Sequence, residues 1–391
     1  MQKEEQIQEL LTRNVEEVID KDHLTKALAG TKKLRVKLGI DPTSPDLHLG
    51  HAVVLHKLRE FQKLGHKAVL IIGDFTARIG DPSGRDRTRP PLSEKDIQGN
   101  MKHYLAQAGK IIDIKKAEVC HNSKWLGKLR GPEILELLSH LSVQQITERE
   151  DFKTRLKENK SIRLHELFYP VMVAYDSIAI KADVELGGND QLFNLLTGRV
   201  LMERKGLAPQ DIHTVPLLVG LDGEKKMSKS VGNYIGLGDI ANDMFGKIMS
   251  LSDALIGPYF NLCTELDRES IKTILEEPNP RDQKVKLGFE IVKLYHGEKK
   301  AMSAQENFEK LFSKKEIPSD IPELKVAAKI SVLDLVMKSG KAKSKSEARR
   351  LIEQGAVAVN DVQKKNPMEE LAFLGGEVAK IGKKDFFKIK V

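Results

Sequence analysis

An α/β fold is predicted for most of this 391-residue chain, with a parallel sheet flanked by helices, then an α-helical domain and a small α+β module. Three observations predict it. Short β-rich runs alternate with amphipathic helical stretches between residues 33 and 225. Residues 234 to about 325 read as helix broken by Pro258, Pro278, Pro280, Pro318 and Pro322. The last 60 or so residues are rich in lysine and arginine and close in strand-like runs such as "FFKIKV".

Taken in order, residues 1–32 form an N-terminal helical segment: "MQKEEQIQELLTRNVEEVI" is acidic and amphipathic. The α/β domain spans 33–232. Its strands are expected in "LRVKLGID", "KAVLIIGDF" and "IHTVPLLVGL". In "HAVVLHKLREFQKLG", Val54, Leu55, Leu58, Phe61 and Leu64 share one helical face and Gly65 supplies the stop, so the helix starts close to His48 and His51. The stretch 131–159 reads as helices inserted between the two halves of the sheet. A helical domain follows at 233–325, with "KKEIPSDIPELK" (314–325) as linker, and the basic module occupies 326–391.

Composition narrows the function classes. With 40% hydrophobic and 31% charged residues the chain can bury a core, and no run approaches the roughly 20 apolar residues of a membrane helix. The N-terminus lacks secretory or transit features, so a cytoplasmic protein with no membrane association is expected. Cys120 and Cys263 stand far apart without Cys/His spacing, so neither a zinc site nor a disulfide framework is indicated. A net charge of +8 permits a polyanionic partner.

Two polar clusters carry the chemistry. "IDPTSPDLHLGH" (40–51) joins a strand end to a helix start, where free backbone N–H groups and the helix dipole suit an anion. Gly50 permits close approach of a ligand to the backbone. The stretch is neither a GxGxxG dinucleotide motif nor a Walker loop. Far downstream, "GEKKMSKSVG" (223–232) is a glycine-bracketed loop that, standing alone, reads as solvated and mobile.

Together, HLGH followed by KMSKS resembles the paired signatures of class I aminoacyl-tRNA synthetases. "YPVMVAYD" (169–176), "ELGGNDQLFN" (185–194) and "GDFTARIGDPSG" (73–84) resemble the bacterial tyrosyl branch of that class, over essentially the whole chain. The domain at 33–232 is then Rossmann-like. The resemblance implies tyrosine activation with ATP, carrying Mg2+, followed by transfer to tRNA(Tyr) by a homodimer that meets through the insertion. It implies that Thr43, His48, His51, Lys226 and Lys229 serve the phosphates, together with Arg85 and Arg89 on a loop that binds leaving pyrophosphate. Asp41, Gly50, Gly188 and Asp190 would line the ATP side. Asp176 would accept the substrate phenol, Asp81 and Tyr169 hold its ammonium group, and Gln191 lie near its carboxyl. "SEARRLIEQGAVAVNDVQ" resembles the S4 RNA-binding motif, with Lys343, Lys345, Arg349 and Arg350 set to contact phosphates.

Two positions depart from the tyrosyl pattern. Lys37 stands where a tyrosine is expected to share the phenol, and is expected either to leave Asp176 alone or to pair with it. Val173 stands where a glutamine is expected to meet the ammonium. Within the class, the tryptophanyl enzymes are the nearest rival; Asp176 and the S4-like module argue against them. From a different class, an RNA-binding paralogue without aminoacylation stays open as the alternative.

Overall fold

The computed structural model describes residues 3–82, 92–313, 321–342, 344–360, 362–382 and 385–391. The chain divides into two compact units, residues 1–302 and 303–391.

The first unit is built on six strands: β1 (Glu17–Ile19), β2 (Arg35–Ile40), β3 (Lys67–Ile72), β4 (Glu118–His121), β5 (Val184–Gly188) and β6 (Asp211–Val215). Their order is β1-β6-β5-β2-β3-β4. The last five run parallel, and β1 pairs antiparallel with β6 at the edge. β3, covered on both faces, is an apolar run, whereas β2, β5 and β6 are also largely buried but carry Lys37, Glu185, Asp211, His213 and Thr214 among their apolar residues. β2 lies between β3, which follows it in the chain, and β5, which comes much later, so the strand order reverses there. The crevice beyond the carboxyl ends of such strands is where open α/β sheets place their ligands.

The expected helix is found at Leu49–Lys63, with His48 at its N-cap and Gly65 in the left-handed region at φ +91°. It buries Leu55, Leu58 and Phe61 completely. The 131–159 stretch forms three helices, Gly131–Ser139, Val143–Thr147 and Glu150–Lys157. The long helix Leu164–Ile180 carries Pro170 in its second turn and packs against Leu192–Arg204.

Three features differ from the sequence expectation. The N-terminal segment also contributes the short strand β1, too brief to show alternation. Residues 233–302 do not stand apart as a separate body: the helix Ile256–Cys263 packs on Leu49–Lys63, and Tyr259, fully buried, donates its hydroxyl to Val219 O at 2.6 Å. Of the linker, residues 314–320 lie outside the described residues, and Glu323–Lys325 is a strand.

In the second unit that strand, β7, is followed by β8 (Lys329–Ser331), β9 (Val357–Val359), β10 (Val362–Lys364), β11 (Glu370–Ala372), β12 (Val378–Ile381) and β13 (Asp385–Lys390). They form one sheet in the order β10-β9-β12-β13-β7 and a pair β11-β8. Helices Val332–Lys338 and Lys345–Glu353 complete a core with Val332, Leu335, Val336, Ile352, Val357 and Ile389. Ala348 and Ile352 turn inward, leaving Lys345, Arg349 and Arg350 exposed; Lys343 lies outside the described residues. No described helix is long and apolar enough to cross a membrane.

Candidate active site

A cavity of about 610 Å³ opens at the β2/β5 reversal point. Its volume suits a small-molecule site. It is lined by Asp41, Thr43, His48, Gly50 and His51 after β2, by Asp81, and by Tyr169, Val173 and Asp176 on the helix Leu164–Ile180. Gly188, Asp190 and Gln191 after β5 and Lys226 and Lys229 complete the wall. The structure thus brings the sequence-predicted residues to one place, except Lys37, the second-unit basic residues, and Arg85 and Arg89, which lie outside the described residues.

The anion end is made by the two signature stretches. His48 N donates to His51 Nδ1 at 3.3 Å, and the backbone of Leu47 and Leu49 is clamped by Leu237 N and Ile235 O at 2.8 and 3.0 Å. A side chain at Gly50 would meet the His48 ring at 3.0 Å, so glycine lets that imidazole lie against the helix start. Burial and the nearby lysines hold both rings uncharged at neutral pH, with His48 lowered to about 2 and His51 to about 4. They act as neutral hydrogen-bonding groups.

The KMSKS turn is held more firmly than its composition suggests. Met227 is buried and its N–H reaches Leu218 O at 2.7 Å, while the Asn233 side chain accepts from Ser228 N and donates to Asp222 Oδ2 and Lys226 O. Lys226 Nζ lies 2.6 Å from Asp190 Oδ2. Lys229 Nζ lies 3.8 Å from Asp46 Oδ2 and 5.5 Å from the centre of the Tyr234 ring.

At the opposite end Asp176 is buried, accepting from Trp125 Nε1 at 2.7 Å and Asn122 Nδ2 at 3.1 Å. Burial raises its pKa to about 6, against the charge of Lys37 and these two donors. Between the ends, Asp41 accepts from Thr76 Oγ1 (2.7 Å) and Tyr169 OH (3.0 Å). Burial pushes Asp41 up to about 7, with the charge of Asp81 adding to it. A Cβ on Gly73 would fall 1.9 Å from Asp41 Oδ1, so only glycine leaves room for this carboxylate. Asp41 therefore stands with Tyr169 rather than on the phosphate side alone.

Lys37 is the main correction. Its ammonium is fully buried behind the wall, 2.5 Å from Glu185 Oε1, and donates to Ser177 Oγ at 2.8 Å and Val173 O at 3.0 Å. It does not line the cavity, and its ion-pair partner is Glu185, not Asp176. The reason is register: Lys37 on β2 sits directly across from Glu185 on β5, and a charge without water must take the nearest counter-charge.

Several site residues escaped sequence reasoning. Asn122 and Trp125 hold Asp176, Arg149 contacts Asp81 and Asn194, Asn194 contacts Gln191, and Asp46 faces Lys229. Asp46, Thr76 and Asn194 lie inside quoted motifs and Arg149 inside the 131–159 stretch, whereas Asn122 and Trp125 do not.

Fold and site together define a class, and comparison with known proteins agrees. The chain belongs to the tRNA synthetases class I (W and Y), whose family model matches residues 29–313; an S4 domain model matches residues 333–371. Among its relatives, the tyrosine–tRNA ligase of Thermotoga maritima is 47% identical over 402 residues, covering 100% of this chain and 98% of the relative. That of Aquifex aeolicus is 46% identical over 390 residues, covering 100% and 99%. In fold the chain is similar to the tyrosyl-tRNA synthetase of Archaeoglobus fulgidus solved with L-tyrosine, at a TM-score of 0.63 and 22% identity, covering 77% of this chain and 99% of that one.

Proposed function

We propose that the chain is a cytoplasmic tyrosine–tRNA ligase, joining tyrosine to ATP as tyrosyl-adenylate with release of pyrophosphate and then passing the tyrosyl group to tRNA(Tyr). The observation that carries this reading is Asp176, a buried carboxylate at the end of the cavity away from Lys226 and Lys229. A phenol O–H supplies a donor to it, and a phenyl ring does not. The ammonium would meet Asp41, Asp81 and Tyr169, the carboxylate would lie near Gln191, and the ribose would lie near Gly188 and Asp190. The tyrosine carboxylate then attacks the α-phosphorus in line, so positioning and charge stabilisation suffice and no protein nucleophile is required. Mg2+ would arrive on the ATP phosphates. Arg85 and Arg89 remain proposed pyrophosphate contacts. The test is amino-acid-dependent ATP–pyrophosphate exchange with tyrosine, phenylalanine and tryptophan in parallel. Exchange with tyrosine alone is expected; no exchange with any of them, with tRNA still bound, would favour the RNA-binding paralogue.

Asp41 makes this site sensitive to pH. Its pKa of about 7 leaves it partly protonated at neutrality, and a neutral carboxyl holds an ammonium poorly. Because the shift is upward, the competent form is lost as pH falls through about 7. The expected kcat/KM for tyrosine therefore rises with pH to a plateau above that value, and Asp41→Asn removes this limb. A flat wild-type profile between pH 6 and 8 would show that Asp41 does not face the ammonium.

Val173 lines the same cavity without a polar side chain. If it stands at the ammonium, Val173→Gln adds one hydrogen bond to a charged group and lowers the KM for tyrosine by about 10-fold, equivalent to about 1.5 kcal/mol. An unchanged KM would place that position elsewhere.

The tRNA reading rests on the exposed Lys345, Arg349 and Arg350, with Lys343 retained as an expected contact. The homodimer reading is supported by Leu135, Val143, Leu156 and Leu164, which are 70%, 62%, 51% and 76% exposed on and beside the insertion. A sedimentation mass of one chain at micromolar concentration would overturn it. The division at 1–32, 33–232, 233–325 and 326–391 is kept as a proposal about function, distinct from the two compact units.

A further inference from the structure

Arg149 precedes the insertion's helix Glu150–Lys157 and reaches the amino-acid end of the cavity from behind. Its side chain is 5% exposed. Nε donates to Asp151 Oδ1 at 2.7 Å, Nη1 to Asn194 Oδ1 at 3.0 Å and Nη2 to Asp81 Oδ1 at 3.2 Å, with the Phe152 ring 5.5 Å from the guanidinium. The second oxygen of Asp81 accepts from Gln191 Nε2 at 2.8 Å, and Gln191 Oε1 accepts from Asn194 Nδ2 at 2.7 Å.

These four side chains close a ring in which every donor meets an acceptor: Arg149 to Asp81, Gln191 to Asp81, Asn194 to Gln191, Arg149 to Asn194. Asp81, Gln191 and Asn194 line the cavity, and Arg149 does not. A carboxylate bonded on both oxygens is fixed against rotation. An amide used at both its oxygen and its nitrogen has its orientation set. Closing the ring requires donors on two separate nitrogens held in fixed directions, which the planar fork of arginine provides; the three donors of a lysine ammonium all radiate from one rotating nitrogen.

We propose that Arg149 is a positioning residue of the amino-acid site: by closing this ring it sets the orientation of the Asp81 carboxylate for the substrate ammonium and of the Gln191 amide for the substrate carboxylate, tying both to the inserted helices. The inference rests on the tyrosine reading of the cavity. Arg149 acts through Asp81 and Gln191 without touching substrate. Its loss therefore weakens recognition of the amino-acid head while leaving the phenol end and the ATP end intact.

The experiment uses the full chain and measures the affinity for tyrosine and for 3-(4-hydroxyphenyl)propionate, which lacks the amino group, in the wild type, Arg149→Met, Arg149→Lys and Asn194→Ala. KM for ATP is measured in exchange assays with the same proteins. The expected result is that Arg149→Met lowers the preference for tyrosine over the amine-free analogue at least 10-fold, with the ATP KM within twofold of wild type. Arg149→Lys is expected to recover less than half of the loss on a logarithmic scale. Asn194→Ala opens the ring without removing a charge and shifts the preference in the same direction, which keeps the test valid if Arg149→Met fails to fold. Equal weakening of both ligands, or an unchanged preference in the folded variants, would overturn the proposal. A wild type that binds the amine-free analogue but prefers no tyrosine over it would also do so, leaving the phenol reading standing. A wild type that binds neither would overturn the tyrosine reading itself.

Discussion

Lys229→Ala lowers the rate of tyrosine-dependent ATP–pyrophosphate exchange by roughly 100- to 1,000-fold, the usual consequence of deleting one preorganised donor aimed at developing charge. The ammonium is held over the cavity mouth by Asp46 and the Tyr234 ring, not by a contact that fills its hydrogen-bonding capacity. Arriving phosphates offer stronger acceptors than a carboxylate 3.8 Å away, so the charge is free to follow the pyrophosphate as it leaves. The loss is expected in kcat, with the KM for tyrosine little changed, because Asp176 lies at the other end and Asp41 between the two. The backbone turn is held by Met227 and Asn233, so the variant keeps the loop and loses only the charge. Single-turnover adenylate formation measures this directly, and a rate within fivefold of wild type would remove Lys229 from the chemistry.

Asp176→Ala is expected to lower kcat/KM for tyrosine by roughly 30- to 150-fold, equivalent to about 2–3 kcal/mol for a hydrogen bond to a charged group. Phenylalanine has no hydroxyl to lose, so its kcat/KM does not fall in parallel and the preference between the two substrates narrows. The variant also strands the Trp125 and Asn122 donors, which the wild-type carboxylate satisfies in the buried wall. Those two groups fix the orientation of the Asp176 carboxylate, which lines the cavity. Exchange kinetics with both amino acids decide the matter: an equal loss for tyrosine and phenylalanine would mean that Asp176 is structural and not the phenol acceptor.

The sequence was legible wherever the controlling physics is local. Apolar spacing marked the helix Leu49–Lys63 and the buried strands β2 and β3, because side-chain direction repeats with the backbone itself. The HLGH and KMSKS stretches named the phosphate end, since a strand-to-helix turn and a glycine-bracketed lysine loop carry their chemistry within a few residues. Family resemblance then supplied Asp81, Tyr169, Asp176 and Gln191, and the fold brings them to one cavity.

What the tertiary structure alone decided is how those groups are paired. Lys37 was expected at the substrate phenol, either leaving Asp176 alone or pairing with it; strand register set it opposite Glu185, a residue 148 positions later, behind the cavity wall, and so left Asp176 without it as ion-pair partner. Asp81 meets Arg149 and Gln191 across 68 and 110 positions, separations at which no periodicity in the sequence carries information. The helices after residue 233 joined the sheet's unit through Ile256–Cys263, which packs on the helix Leu49–Lys63, a choice made by packing and not by any single stretch. Residue types and local pattern therefore determined which chemistry the chain carries. Long-range register and burial, which force each buried charge onto the nearest available partner, decided which side chain holds which.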